Sequence, residues 1–304
     1  MTTILITGAG SGLNNGAAFE LAKRGHDVIA CVENFPQVRA LEIQAKERGV
    51  TLRIEKLDVT EEGDRRRAIS WDVDVLVNGA GIIEGGAIVD IPGENLRRQF
   101  EVNVIGPVQL AQGVARKMIA RRSGKIIFVS SVVGILCGPF VGAYAASKHA
   151  LEAIAETMAM ELQEFGVEVA VINPGPFLTG FNDAAILATK VWDDDPTART
   201  FDYDKIAFPF EQFEPSVAFQ SMADVIAGEV PLFRNVVPPD LAGPVREQSL
   251  QVWSRKTTDG LGTRADLVQK SYDMQPETLV GSGQRQVAAA RQLGGTVQNT
   301  VTVS

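Results

Sequence analysis

Thr3-Ile4-Leu5-Ile6-Thr7-Gly8-Ala9-Gly10-Ser11-Gly12-Leu13-Asn14-Asn15-Gly16 decides how the rest of the chain is read. Thr3 to Thr7 is an apolar, β-branched run of strand length, and Ala17 to Arg24 has helical spacing. Between them the chain turns on glycines. A turn of this kind also forms wherever a chain reverses tightly. Placed between a first strand and a first helix, it lets backbone amides approach a pyrophosphate at the positive end of that helix.

Outward from this stretch the same alternation continues. Asp27 to Val32, Leu52 to Leu57, Val73 to Asn78, Lys125 to Ser130 and Val167 to Asn173 read as strands. Pro36 to Arg48, Glu94 to Arg121 and Tyr144 to Phe165 read as helices, with Gly25, Gly49 and Gly166 at their expected ends. Any helix between Asp58 and Asn78 must be short. Near-continuous apolar strands separated by helices predict an α/β fold, a doubly wound parallel sheet with helices on both faces.

Composition narrows the functional classes. The 304 residues are 45% hydrophobic and 22% charged, ordinary for a globular chain. A net charge of -8 argues against a nucleic-acid surface, which needs clustered cations; Arg65 to Arg67 and Arg121-Arg122 read as solvated charges. Two cysteines, Cys31 and Cys137, give no disulfide framework and are predicted to be buried thiols. Two histidines, His26 and His149, are too few for a zinc or Ser-His-Asp mechanism. His149 should point away from its neighbour Lys148. No apolar run approaches the roughly 18 residues of a membrane span, and the N-terminus lacks a signal-peptide pattern. The expectation is a soluble cytoplasmic protein with no membrane partner.

Several motifs fall at strand ends, where open parallel sheets bind ligands. Glu33 follows the second strand, Asp58-Val59 the third, Asn78-Gly79-Ala80-Gly81 the fourth, and Asn173-Pro174-Gly175-Pro176 the sixth, with Thr179 just beyond. Glu33 would take ribose hydroxyls and repel a 2′-phosphate. Asn103, in an apolar helical run, needs a hydrogen-bond partner. Ser131 precedes Tyr144 by thirteen residues, and Lys148 lies one helical turn after Tyr144. A cation held there favours the phenolate and makes tyrosine a usable acid and base.

With these motifs in this order, the chain resembles the short-chain dehydrogenase/reductase family, closely over residues 1–180 and in outline to 255. The resemblance implies a Rossmann-like dehydrogenase domain over residues 1–255. It also implies a nicotinamide-dependent oxidoreductase acting on a secondary alcohol or ketone. Tyr144 would exchange the substrate proton, Ser131 would bond the substrate oxygen, and Lys148 would lower the tyrosine pKa and hold the nicotinamide ribose. Asn103 would anchor a proton path through its backbone and a water. Gly8, Ser11, Gly12 and Leu13 would line the pyrophosphate turn, Asp58 and Val59 the adenine, and Asn78 and Ala80 the ribose side. Pro174, Gly175 and Thr179 would meet the nicotinamide. A homodimer or homotetramer paired through the long helices is expected.

Two residues depart from the family pattern. Asn14 replaces a third glycine, which puts cofactor affinity in question, with Gly16 a candidate for its packing role. Val32 stands where NAD-preferring relatives often carry an aspartate, with Glu33 one residue later. NAD is the expected cofactor, with NADP left open and Arg39 the residue that could reverse the preference. The alternative is a catalytically inactive nucleotide-binding or sensing protein, which Asn14 favours. An epimerase or dehydratase fits less well, since that branch has a larger C-terminal domain. Aromatic-rich residues 177–213 read as a lid suited to an apolar or aromatic substrate. Residues 256–304, with a short helical candidate at Gln284 to Leu293, form an extension of unassigned role.

Overall fold

The computed structural model describes residues 1–274, so the helical candidate at Gln284 to Leu293 lies outside the described residues. Seven parallel strands form one sheet in the order β3-β2-β1-β4-β5-β6-β7. They are β1 (Thr3–Ile6), β2 (Asp27–Val32), β3 (Arg53–Lys56), β4 (Val75–Asn78), β5 (Gly124–Val129), β6 (Val167–Pro174) and β7 (Arg234–Val237). The order reverses between β1 and β4, which opens a crevice at their carboxyl ends.

Side chains alternate across the pleat, so each strand feeds two cores. Ile4 and Ile6 enter one with Val28, Ala30 and Val77, under α1 (Gly12–Lys23), α2 (Phe35–Glu47) and α8 (Ser216–Ala227). Leu5, Ile29, Leu76, Ile126 and Phe128 enter the other, under α3 (Glu62–Ser70), α5 (Gly106–Arg121) and α6 (Gly142–Leu162). Helices therefore cover both faces, and the fold is the expected Rossmann-like single domain.

The helix predicted from Glu94 to Arg121 is interrupted. α4 (Gly93–Phe100) passes into a π-helical turn, Glu101–Ile105, before α5 begins. Asn103 is in that turn. Its Oδ1 accepts from Ile82 N at 2.8 Å, and its Nδ2 donates to Ile82 O at 3.0 Å and Ser147 Oγ at 3.1 Å. The widened turn carries this side chain to two distant partners.

Residues 177–213 form an arch whose two ends meet. Phe177 and Phe213 make a parallel bridge, with Leu178 N donating to Phe213 O at 2.9 Å and Phe213 N to Pro176 O at 2.8 Å. The arch carries α7 (Phe181–Ala188) and is pinned to the body at Asp90, which accepts from Tyr203 Oη at 2.7 Å and Thr200 N at 2.9 Å. After α9 (Ala242–Gln251), α10 (Asp266–Asp273) returns to the arch. There Ala207 N donates to Ser271 O at 2.9 Å, and Val268 and Tyr272 join a cluster with Trp192, Tyr203 and Ile206.

Candidate active site

The glycine turn runs hard against the end of β4. Gly8 has φ +68°, and a Cβ there would fall 2.7 Å from Ala80 Cα, so no other residue fits. Thr7 latches the two segments together: its Oγ1 accepts from Gly79 N and Ala80 N, each at 3.0 Å. Sequence reasoning gave Thr7 no role of its own, since a threonine ending a strand is unremarkable until its partners 72 and 73 residues away are known.

Asn14 lines the cleft beside the turn. Its Nδ2 donates to Gly79 O at 2.7 Å, adding a second tie between α1 and the end of β4. Gly16 supplies the close packing of a glycine at this helix start: a Cβ on it would lie 2.2 Å from the Phe219 ring of α8.

One cleft of about 1610 Å³ opens along the carboxyl ends of the strands and under the arch. Gly8, Ser11, Gly12, Leu13, Glu33, Asp58, Val59, Ala80, Ser131, Tyr144, Lys148, Pro174, Gly175 and Thr179 all line it. Asn78 and Asn103 are not at its surface. Asn78 is buried beneath the wall, and Asn103 is enclosed by the contacts described above. The lining of the strand ends suits a dinucleotide, because the small residues Gly8, Gly10, Ser11 and Gly12 form the turn and the Glu33 carboxylate stands just after β2. Arg39 pairs with Glu42 at 3.2 Å and stays out of the cleft.

Toward the arch the lining becomes apolar. Phe181, Ala185, Ile206, Phe208 and Phe210 come from the arch, and Leu241 and Val245 from the N-cap and first turn of α9. The α9 residues were not singled out in the sequence, because β7 before them was missed. β7 is four residues long, holds Arg234 and Asn235, and is followed by two prolines, a weak strand signal. Cys137 also lines this cleft and is exposed, contrary to the burial expected from its apolar neighbours. It lies in the loop between the Val132–Gly134 turn and α6, outside any core-facing element.

Tyr144 and Lys148 lie in the first two turns of α6, both buried. Lys148 Nζ donates to Val129 O at 2.8 Å and lies 5.5 Å from the centre of the Tyr144 ring. Ser131 ends the strand segment after β5 and caps the Val132–Gly134 turn, its Oγ accepting from Val133 N at 3.3 Å. The sequence predicted a phenol depressed by Lys148; instead burial holds the Tyr144 pKa above its usual value, opposed by a hydrogen bond with Ser131. Burial also draws Lys148 down to about 8, with Glu152 acting the other way. Phe181 of α7 packs edge-on against Tyr144, ring centres 5.6 Å apart. His149 turns from this group, its Nδ1 3.0 Å from Ala145 O.

The model of the short chain dehydrogenase family matches residues 2–188. The uncharacterized oxidoreductase YusZ of Bacillus subtilis (strain 168) is 35% identical over 230 residues, 73% of this chain and 82% of that protein. A 3-ketodihydrosphingosine reductase of Bacteroides thetaiotaomicron is 31% identical over 249 residues, 78% of this chain and 87% of that protein. Among solved structures, a short-chain dehydrogenase from Sphingobium yanoikuyae in complex with NADPH superimposes with a TM-score of 0.66 at 22% identity, over 88% of this chain and 99% of that one.

Proposed function

The chain belongs to the short-chain dehydrogenase/reductase family of NAD(P)-dependent oxidoreductases, and from that premise we propose that it interconverts a bulky, apolar secondary alcohol and its ketone with NAD. The observation that carries this reading is the placement of Ser131, Tyr144 and Lys148 together where the cofactor-sized groove meets the apolar wall under the arch. In this proposal the nicotinamide supplies or accepts the hydride. Tyr144 Oη gives or takes the proton of the substrate oxygen, and the Ser131 hydroxyl fixes that oxygen. Lys148, as an ammonium, favours the ionised phenol once the site is closed. Asn103 acts from behind the wall, its side chain holding the Ile82 backbone next to Gly81, where a Cβ would lie 3.7 Å from Lys148 Nζ.

Several observations support the finer points. Glu33 at the cleft, with Arg39 turned away, favours an unphosphorylated ribose and hence NAD. The Phe- and Ile-rich wall beneath the arch favours a bulky apolar substrate, in line with a relative named 3-ketodihydrosphingosine reductase. Asn14 was the residue that favoured a non-catalytic protein, and its engagement with Gly79 supports the catalytic reading instead. Val108, Ile119, Ile154 and Met158 line a groove between α5 and α6, which suits pairing of these helices in a homo-oligomer. Among the described residues, no helix is long and apolar enough to cross a membrane.

Tyr144→Phe tests the mechanism. Turnover of a bulky aryl or alkyl ketone panel with NADH should fall by at least a thousandfold, while NADH binding, followed by fluorescence, stays within about twofold. Retained turnover would refute the assigned role.

A further inference from the structure

Glu152 is a buried carboxylate outside the cleft, one helical turn beyond Lys148 on α6, so Tyr144, Lys148 and Glu152 form a column along one helix face. Its Oε1 accepts from Asn173 Nδ2 at 2.6 Å. Its Oε2 lies 3.0 Å from an Arg234 guanidinium nitrogen, an ion pair outside hydrogen-bond angles. The same Asn173 Nδ2 donates to Ser131 O at 3.0 Å. A Cβ on Gly134 would fall 3.2 Å from both Glu152 Cγ and Oε1, so the carboxylate packs directly beneath the turn that begins at Ser131.

We propose that Glu152 is a positioning residue for the Ser131, Tyr144 and Lys148 centre: its carboxylate, balanced by Arg234, sets how tightly Lys148 holds its proton and, through Asn173, fixes the turn carrying Ser131. The inference rests on the assignment of Lys148 as the working ammonium. Among the described residues, the groups facing this pair are few. Tyr144 and Glu152 share its helix, and Arg234 reaches Glu152 from β7. The end of β5 presents the Val129 carbonyl and Ser131, β6 presents Asn173, and the π-turn presents Asn103, all neutral. A charge one helical turn from a buried ammonium moves its titration by about one pH unit. Glu152 therefore raises the Lys148 midpoint, and Arg234, which cancels part of the Glu152 field, lowers it.

Opposite shifts follow from the two partners, and they distinguish this role from a merely structural one. In protein carrying ¹³C at lysine Cε, with the Lys148 signal identified by its loss in Lys148→Arg, the midpoint should fall by about one unit in Glu152→Gln and rise by about half a unit in Arg234→Gln. Glu152→Asp should restore most of the original midpoint, and the alkaline limb of kcat/KM should follow the same order. Midpoints that stay fixed, or move in the same direction in both variants, overturn the proposal. If Glu152→Gln fails to fold, Arg234→Gln carries the test alone, and an unmoved or lowered midpoint overturns it. The NMR shifts need no substrate, so an active Tyr144→Phe enzyme would defeat the mechanism while leaving this result separately readable.

Discussion

Gly16 of α1 sits beneath the ring of Phe219 of α8, so closely that a single added Cβ would fall 2.2 Å from it. These two helices cover the same face of the sheet, and α1 begins at the glycine turn of the cleft. Gly16→Ala forces α1 and the Phe219 ring apart. Overpacking of this kind costs about 1–3 kcal/mol, so a melting temperature lower by several degrees is expected. Cofactor affinity should fall with it, because the turn moves with its helix. An unchanged melting curve would show that the ring swings aside without cost.

Asn14 ties α1 to Gly79 by one hydrogen bond. Asn14→Ala removes it and leaves a carbonyl without that partner, a loss of about 1 kcal/mol. The dissociation constant for NADH should rise about fivefold, with kcat little changed. Tighter binding in the alanine variant would mean that the amide hinders the phosphates after all.

Glu33 is the acid at the end of β2 that lines the cleft. Glu33→Ser should raise kcat/KM for NADP relative to NAD by at least tenfold, equivalent to about 1.4 kcal/mol of relieved repulsion. Steady-state rates with both cofactors decide it. A variant that still prefers NAD by the original ratio would place the ribose away from Glu33.

Lys148 makes stability depend on pH in a defined window. Its folded value near 8 lies below the ordinary lysine value, so above pH 8 the unfolded chain holds the proton more firmly. Stability of the parent protein relative to Lys148→Met should therefore rise between pH 8 and about 10.4 and be flat below pH 8. The total change is on the order of 3 kcal/mol. At neutral pH the methionine variant is relieved of burying an ammonium. Urea midpoints of the two proteins across this range measure the difference, and parallel curves would contradict the assigned shift.

That these residues share one cleft was legible because they come together through sequence-local geometry: Gly8 and Gly12 in one turn, Tyr144 and Lys148 one helical turn apart. What escaped reading depends on partners far along the chain. The π-turn at Glu101–Ile105 looks like ordinary helix because the contacts it serves, those of Asn103 with Ile82 and Ser147, lie 21 and 44 residues away. The raised pKa of Tyr144 is not legible in sequence, because spacing shows the nearby cation but not the enclosure of the phenol. Cys137 was misplaced for the converse reason: apolar neighbours in sequence do not bury a loop residue at a cleft.

The bridge between Phe177 and Phe213 has a consequence for how such an enzyme changes its diet. Both ends of the arch meet at one point on the scaffold, so its length is set apart from the sheet, while its ties to Asp90 and Ser271 are what any altered arch has to keep. Closing a loop whose ends already meet depends only weakly on its length, so longer, shorter or differently lined arches can be grafted there while the sheet and the nucleotide turn stay as they are.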